Sequence, residues 1–344
     1  MPEPAISIVI PTFNRAEVLF EALKAVAAQG FKDFECITVD NGPSTDATGE
    51  AAGEFSEKDP RFIYLRTHEK GDFKARNIGC GRARADLILT IDDDWIMTDT
   101  GTLEHIVRSF ETGDRLGGLG ISEYYPDGRA KGRAESPAKG SINWLDRIRE
   151  TGFYYPGMIS RWGLIGNKFH YLEIGRKHMV HHVRSSAFAF RKQVFEMAGG
   201  FPPCYSIDGN AYRAETEFCL RIASLGWKVA FTTEVQGLHK VLPKQAGSFS
   251  RGGDARYFYV TGRNNTLFFL RNYWSRAASP LFLAWDMLVG NSTQPGFLRF
   301  FSTHKHLRGV RFPDGSSPLG KSMKGKWQGF IDYHRGLHRM EAGK

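Results

Sequence analysis

Short apolar runs, each followed at once by polar residues, recur along the first third of the chain. Four of them have the length and β-branched composition of buried strands: ISIVIP (6–11), FECITVDNG (34–42), FIYLRT (62–67) and DLILTIDDD (86–94). After the first run, RAEVLFEALKAVAAQG (15–30) has the apolar spacing of one helix face, with Asn14 as its expected N-cap and Gly30 as its expected stop. Strands that alternate with helices predict an α/β fold with a mostly parallel central sheet.

Polar residues follow three of these strands at the same end. They are Pro11–Asn14 after the first strand, Asp40–Gly42 after the second and Asp92–Asp94 after the fourth. Ligands of parallel sheets bind beyond the carboxyl ends of the strands, so we expect these residues to meet at one rim around a shared cleft. Neither the Rossmann G-x-G-x-x-G fingerprint nor the P-loop pattern follows the first strand, so a nucleotide would have to be held by other means.

The three consecutive acids Asp92, Asp93 and Asp94 are the most unusual feature of this rim. Adjacent carboxylates repel one another, and burying an unpaired one is costly. One interpretation is a polar turn in which all three face water. The other is a site for Mg²⁺ or Mn²⁺, since these hard cations prefer oxygen ligands and often bridge carboxylates to phosphates.

The composition is that of a globular protein with one large domain or two intimately joined ones: 344 residues, 41% hydrophobic and 24% charged. A formal net charge of +9 favours anionic partners such as nucleotides or phospholipid headgroups. No helix-turn-helix, zinc-finger or RNP-like pattern is visible, which argues against nucleic acid. No apolar run is long enough for a membrane-spanning helix, and four scattered cysteines predict the reduced thiols of a cytoplasmic protein.

Four segments, in order along the chain, resemble glycosyltransferase family 2, the inverting enzymes of the GT-A fold. They are SIVIPTFNR (7–15), ITVDNGPSTDAT (37–48), GDFKARNIGCGRARADLILTIDDD (71–94) and AETEFCLRIASLGWKVAF (214–231). The resemblance implies a GT-A fold with a Rossmann-like nucleotide-sugar half at residues 1–115 and an acceptor-binding, catalytic half at 116–274. A basic, aromatic C-terminal helical extension would occupy 275–344.

The resemblance also implies a donor site. It assigns nucleotide-sugar binding to Pro11, Thr12, Phe13, Asn14, Arg15, Asp40, Asn41, Lys74, Arg76, Asn77, Asp92, Asp93 and Arg263. Asp40 would bind the base, usually uracil, with Asp46 nearby, and Asp93 would be supportive. Asp94, the last acid of the D-x-D motif, would ligate Mn²⁺ or Mg²⁺ together with His239. A structural role for His239, and a pairing of Arg263 with an acid beneath the site, remain alternatives.

The catalytic segment departs from the family pattern Glu-Asp-x-Asp/Glu, because this chain reads Ala214-Glu215-Thr216-Glu217. The position of the usual catalytic aspartate falls on Glu215, which is chemically able to act as a general base. Glu217 is the alternative base. Both acids would also suit the positive end of a helix without any catalytic role. Upstream, Ser185 and Ser186 stand where small residues let the donor sugar approach in the family.

Two further regions carry weaker signals. Residues 123–182 combine a basic loop, PDGRAKGRAESPAKG (126–140), with aromatic and histidine residues that we interpret as an acceptor-recognition region: Trp144, Tyr154, Tyr155, Trp162, Tyr171, His178, His181 and His182. The extension from Ser275 interleaves basic with apolar-aromatic residues. That pattern fits a helix pair resting on an anionic membrane, and equally a basic helical lid on the core.

Together, these features predict a metal-dependent inverting glycosyltransferase in cell-surface polysaccharide assembly. It would move a sugar from a nucleotide-sugar, with UDP-sugars as the default, to a hydroxyl of a glycan or lipid-linked acceptor. The expected location is the cytoplasm, with peripheral attachment to the inner face of the membrane as one option. The alternatives are a sugar nucleotidyltransferase, whose glycine-rich basic loop is not visible, and a degenerate module that binds nucleotide or glycan without turnover.

Overall fold

The computed structural model describes residues 3–42, 44–68, 71–111, 115–128, 156–159, 165–167, 169, 172–207, 211–240, 255–290, 294, 296–303 and 308–336. Most of the basic loop at 126–140 lies outside these residues, as do the aromatic residues Trp144, Tyr154, Tyr155, Trp162 and Tyr171.

A single mixed sheet forms the centre of the described structure. Its strands are β1 (Ile6–Thr12), β2 (Phe34–Asp40), β3 (Phe62–Arg66), β4 (Leu87–Ile91), β5 (Trp95–Met97), β6 (Leu116–Tyr124), β7 (Lys177–Val180), β8 (Ala187–Arg191) and β9 (Lys228–His239). The order is β3-β2-β1-β4-β8-β6-β9-β5, and β7 also pairs with β9. The contiguous parallel run comprises β3, β2, β1 and β4, since β8 joins β4 in the antiparallel direction, and β6 and β9 form a further parallel pair.

Helices cover the sheet, as an α/β fold requires. They are α1 (Ala16–Ala27), α2 (Thr48–Lys58), α3 (Asp72–Arg82), α4 (Thr102–Glu111), α5 (Lys192–Met197), α6 (Ala214–Ser224), α7 (Ala255–Asn272), α8 (Ser279–Leu288), α9 (Phe297–Thr303) and α10 (Pro318–Arg335). Successive strand residues point to opposite faces, so β1 sends Ile8 into one apolar core and Val9 into another. This explains why the strand sequences are apolar throughout.

The N-terminus of α1 corrects one expectation, because Asn14 does not cap this helix. Asn14 adopts a left-handed φ of 50°, and its Oδ1 accepts a hydrogen bond from the backbone N–H of Thr45 at 2.7 Å. The cap comes from the loop after β2: the N–H of Ala16 donates to Asp46 Oδ2 at 3.2 Å, and the N–H of Arg15 donates to Thr48 Oγ1 at 3.0 Å. The two loops at the rim are therefore joined to each other.

Helices α7 and α10 pack with almost no side chains between them. A Cβ built on Gly325 would overlap the carbonyl oxygen of Tyr259, and one on Gly329 would overlap that of Arg263. A buried ion pair between Arg263 Nε and Asp332 Oδ2, at 2.7 Å, links the same helices. The C-terminal helices are thus part of the packed structure around α7.

This close packing predicts a large difference between two glycine-to-alanine substitutions. We expect Gly325→Ala to lower the free energy of unfolding by about 1–3 kcal/mol or more, because the added methyl group meets backbone that has no room to move. Gly53→Ala is the matched control, because a Cβ at this helical position has nothing within 4 Å. It should raise stability by about 0.5–1 kcal/mol. Urea denaturation measures both, and equal effects would contradict the proposed contact.

Candidate active site at the strand-end rim

The three polar strand ends do lie together, as the sequence predicts. Thr12 Oγ1, at the end of β1, donates a hydrogen bond to Asp93 Oδ2 at 2.8 Å. The N–H of Asn41, after β2, donates to the carbonyl of Thr12 at 2.7 Å. Pro11 is buried and lies opposite Val39 in the β1–β2 pairing. The carboxyl ends of three adjacent parallel strands therefore form one continuous polar rim.

Each of the three acids has a different set of partners, so they are not a solvated turn. Asp92 is partly exposed and pairs with the fully buried Arg76. Asp93 is buried and accepts from Arg15 Nη1 at 2.6 Å in addition to Thr12. Asp94 accepts from Arg15 Nη2 at 2.7 Å and lies 3.2 Å from His239 Nε2. Two arginines and a histidine thus offset the repulsion between the carboxylates.

The two buried acids, Asp93 and Asp94, have pKa values that are shifted in opposite directions. Burial raises the pKa of Asp93, and the neighbouring Asp94 carboxylate raises it further against the opposing effect of Arg15. At Asp94, burial also acts to raise the pKa, but the hydrogen bonds and charges of His239 and Arg15 outweigh it and lower the pKa to about 2. Asp94 is therefore ionised at neutral pH, which is the state that a metal ligand needs.

His239 comes to this site through β9, whose antiparallel pairing with β5 places it opposite Trp95, the residue after Asp94. Its Nδ1 is 2.9 Å from Glu123 Oε2, at the end of β6, and Glu123 in turn accepts from Arg184 Nη1 at 3.3 Å. A carboxylate bonded to one ring nitrogen fixes the ring and leaves the other for a metal. The sequence analysis missed Glu123 and Arg184, although an acid ending an apolar strand was a usable signal.

The residues at the rim fit a divalent cation. One ligand atom from each of Asp92, Asp94 and His239 lies within 4.8 Å of the others. Two carboxylate oxygens and one imidazole nitrogen are suitable ligands for Mn²⁺, and an oxygen-rich set with room for water suits Mg²⁺.

A cleft of about 590 Å³ opens beside Asp40, between the end of β2 and helix α2. Asp40 is buried and accepts from Ser44 Oγ at 2.6 Å and from the Tyr64 hydroxyl at 2.9 Å. Burial and this bond raise the pKa of Tyr64 to about 12. The cleft is lined by Asp40, Ser44, Asp46, Gly49, Glu50, Gly53, Glu54, Glu57, Tyr64 and Arg66.

Helix α3 carries three of the predicted donor-site residues, and they differ in role. Arg76 is buried between Asp72 and Asp92, and its Nη1 has no hydrogen-bond partner among the described residues. Lys74 is half-buried in the first turn of the helix. Asn77 instead braces a turn: its amide donates to the carbonyl of Phe201 at 2.9 Å and accepts from the Phe201 N–H at 3.0 Å.

Glu215 and Glu217 occupy the first turn of α6 but have opposite surroundings. Glu215 is half-buried, and no hydrogen bond joins its carboxylate to another described side chain. Burial raises its pKa to about 7, with Asp72 adding to the increase and Arg213 and Arg76 opposing it. The residue before the helix, Arg213, has a left-handed φ of 83°, the kind of strained backbone that is often found at functional sites.

Glu217 is buried and all its acceptor capacity is used. It accepts from Arg221 at 2.8 Å, from Arg271 at 2.7 and 3.1 Å, from Asn272 at 3.3 Å and from the Tyr205 hydroxyl. These bonds join α6 to α7. The contacts of Glu217 are those of a structural anchor, and they favour Glu215 as the candidate base.

Two other predicted residues are placed as follows. Arg263 is buried in α7 and bonds to Asp332 and to the carbonyl of Cys204, none of which belongs to the rim, so its contacts match the structural alternative. Ser186 is buried immediately before β8, and its carbonyl accepts from the N–H of Asp92 at 2.9 Å. This bond joins the chain before β8 to the first of the three acids.

Comparison with known proteins assigns the family. A family model described as "Glycosyl transferase family 2" matches residues 7–196, more than half of the chain. The chain therefore belongs to glycosyltransferase family 2, as the sequence motifs predict. The described sheet and its helices match GT-A structures: the structure of Staphylococcus aureus TarS 1–349 in complex with UDP-GlcNAc aligns with a TM-score of 0.53 at 16% identity, covering 96% of this chain and 92% of that one.

Curated relatives are similar over shorter stretches. "Glycosyltransferase AglE" of Haloferax volcanii is 31% identical over 134 residues, which are 36% of this chain and 42% of that protein. "GalNAc(5)-diNAcBac-PP-undecaprenol beta-1,3-glucosyltransferase" of Campylobacter jejuni is 32% identical over 93 residues, which are 26% of this chain and 30% of that protein. The chain thus spans less than half of the length of these two relatives.

Proposed function

We propose that the protein is an inverting glycosyltransferase that takes a sugar from a nucleotide-sugar donor, with a UDP-sugar as the first choice. The observation that carries this proposal is the strand-end rim, where ionised Asp94 lies beside Asp92 and His239, on the same side of the sheet as a cleft at Asp40. Such an arrangement offers places for a nucleoside, a diphosphate and a metal along one rim.

The donor would lie along the rim. The Asp40 cleft would receive the base, because a buried carboxylate held by Ser44 and Tyr64 is a fixed acceptor for a base N–H. Residues Pro11–Arg15 and Asn41 would follow the nucleoside, with Lys74 and Arg76 supplying positive charge. Arg15 bonds Asp93 and Asp94 in the described state and would be free to turn toward a phosphate if a cation took its place.

Asp92, Asp94 and His239 would hold Mn²⁺ or Mg²⁺, with Glu123 fixing the histidine ring. When bound, such an ion would supply positive charge that stabilises the departing nucleoside diphosphate. Asp93 would have a supporting role. Its hydrogen bonds to Thr12 and Arg15 hold the turn of three acids against the end of β1.

Glu215 is the proposed general base. Its raised pKa of about 7 is near the value at which a base is both deprotonated and strong enough to take a proton at neutral pH. Its carboxylate would accept the proton of the acceptor hydroxyl as that oxygen attacks the anomeric carbon and the bond to the diphosphate breaks. Ala214, which departs from the family pattern, is fully buried.

The acceptor and location are also proposals. The Campylobacter jejuni relative is named for a substrate linked to undecaprenol, and this supports a glycan or lipid-linked acceptor here. A role in cell-surface polysaccharide assembly, in the cytoplasm at the inner face of the membrane, follows from that acceptor class.

Thermal stability against UDP, GDP and dTDP, with and without Mn²⁺, tests the donor site. We expect UDP to raise the melting temperature only when Mn²⁺ is present, since a ligand at a hundredfold excess over Kd stabilises the folded state by about 2.7 kcal/mol. A Mn²⁺-dependent increase with GDP or dTDP alone would change the proposed base. No increase with any of the three would contradict the donor site itself.

A further inference from the structure

An exposed apolar surface covers helices α8 and α9. On α8, Leu281, Trp285 and Leu288 recur at helical spacing and are 71%, 61% and 48% exposed. On α9, Phe297 and Phe301 are 51% and 45% exposed and contact each other, with ring centroids 4.9 Å apart. Leu298 is 52% exposed beside them. We call these six residues the α8–α9 surface.

The two helices that carry these six side chains meet at their ends. The N–H of Gly296 donates to the carbonyl of Val289 at 2.9 Å, so α9 begins directly against the end of α8. Among the described residues, eleven large apolar side chains are exposed, and six of them are in this surface. The other face of α8 is also apolar, with Phe282 and Leu283 buried. A helix that is apolar on both faces is normally covered on both.

The surface is rigidly attached to the rest of the molecule. Asp286 of α8 accepts from Thr266 Oγ1 of α7 at 2.8 Å and pairs with the buried Lys326 of α10 at 3.1 Å. Whatever covers the α8–α9 surface would therefore have a fixed orientation relative to α7, the helix that also holds Glu217 through Arg271.

Positive charge is concentrated in the same part of the chain. Residues 275–344 contain eleven Lys and Arg residues against four Asp and Glu residues, which gives +7 of the formal net charge of +9. No acidic residue occurs from position 287 to position 313. Next to the apolar surface, the guanidinium of Arg308 lies 5.4 Å from the centre of the Phe301 ring, and both Arg308 and Arg311 are exposed. The apolar surface thus has a cationic border.

We propose that the α8–α9 surface docks on an anionic phospholipid bilayer, with Trp285, Phe297 and Phe301 in the interface and Arg308 and Arg311 at the headgroups. A second copy of the chain fits less well, because a symmetric contact would bring two like-charged borders together. A bilayer surface supplies both the apolar layer and the negative charge. No described helix is long and apolar enough to cross the bilayer, so the contact is with its surface.

Co-sedimentation with vesicles tests this proposal independently of catalysis. Vesicles of phosphatidylglycerol and phosphatidylcholine are compared with phosphatidylcholine alone, at low and high salt. We expect binding to the anionic vesicles that weakens with salt. The triple variant Trp285→Ser/Phe297→Ser/Phe301→Ser should reduce the partition coefficient by roughly tenfold or more. Arg308→Glu/Arg311→Glu should remove the preference for anionic vesicles.

The matched control is Ile174→Ser/Met197→Ser, which removes two apolar side chains that are 78% and 60% exposed outside this surface. It should bind vesicles like the wild type, and the melting temperatures of all variants should stay near the wild-type value. Absence of vesicle binding would overturn the proposal, as would equal binding by the triple variant. A dimer in light scattering that the triple variant abolishes, without vesicle binding, would identify a contact between copies and also overturn it.

Discussion

Glu215→Gln is expected to reduce kcat by about a thousandfold while leaving nucleotide binding nearly unchanged. Glutamine keeps the shape of the side chain but cannot accept the proton of the acceptor hydroxyl. The carboxylate forms no hydrogen bond to another described side chain, so the substitution breaks no network, and stability should change little. The measurements are kcat with a donor that gives turnover, and the Mn²⁺-dependent increase in melting temperature with UDP.

Glu217→Gln is the matched control, with the same chemical change two residues further along the helix. It weakens the ion pairs of the buried Glu217 with Arg271 and with the partly exposed Arg221, and breaking a buried pair can cost about 3–5 kcal/mol. We therefore expect a lower melting temperature but a kcat per folded enzyme close to that of the wild type. Full activity of Glu215→Gln together with an inactive but folded Glu217→Gln would reverse the assignment of the base.

The pH dependence gives the same variant a second readout. A base with a pKa of about 7 must be deprotonated to work, so kcat/KM should rise with pH and level off above about 7. The rise should be absent in the residual activity of Glu215→Gln. The folded-state pKa exceeds the ordinary value of 4.5, so the folded state binds more protons and the contribution of Glu215 to stability falls as pH rises from about 4.5 to 7.

Local pattern was sufficient to predict the first half of the fold and its rim. The polar residues at Thr12, Asp40 and Asp92–Asp94 follow directly on buried strands, and parallel pairing of neighbouring strands brings those ends together. Local sequence patterns did not predict roles for residues whose hydrogen-bond partners are far away in the chain. Asn77 bonds to a residue 124 positions later, and Arg263 to one 69 positions later, so no local pattern indicated that these polar groups were already occupied.

The hydrogen bond between Glu123 and His239 could not be predicted from local sequence patterns either. Glu123 lies 116 positions before the histidine, and the two meet only because β6 and β9 pair. The opposite surroundings of Glu215 and Glu217 could be predicted in part from the helix itself. Residues two apart on a helix point about 200° away from each other, so only one of them can face a cleft while the other faces the core. Which one does so depends on Arg271 and Tyr205, which the helix sequence does not contain.

Asp94→Asn is expected to abolish the Mn²⁺-dependent stabilisation by UDP and to reduce kcat by about a thousandfold, equivalent to about 4 kcal/mol of lost stabilisation of the transition state. Asparagine retains an oxygen but has no charge, whereas the lowered pKa of Asp94 indicates that the wild-type group is ionised in this environment. The melting temperature of the ligand-free variant should stay near the wild-type value. Loss of the Mn²⁺ effect at an unchanged ligand-free melting temperature would separate a defect in the metal site from misfolding.

Two further substitutions make the prediction for Asp94 specific. Asp93→Asn is the matched control, because Asp93 is bonded to Thr12 and Arg15 and is absent from the group of three candidate ligands, so the Mn²⁺ effect should persist. Glu123→Gln keeps every candidate ligand but weakens the bond that orients His239, and should reduce metal affinity by about 10–100-fold. Titration of Mn²⁺ by calorimetry would rank the variants. If Asp93→Asn lost metal binding and Asp94→Asn retained it, the metal site would have to be built around the middle acid.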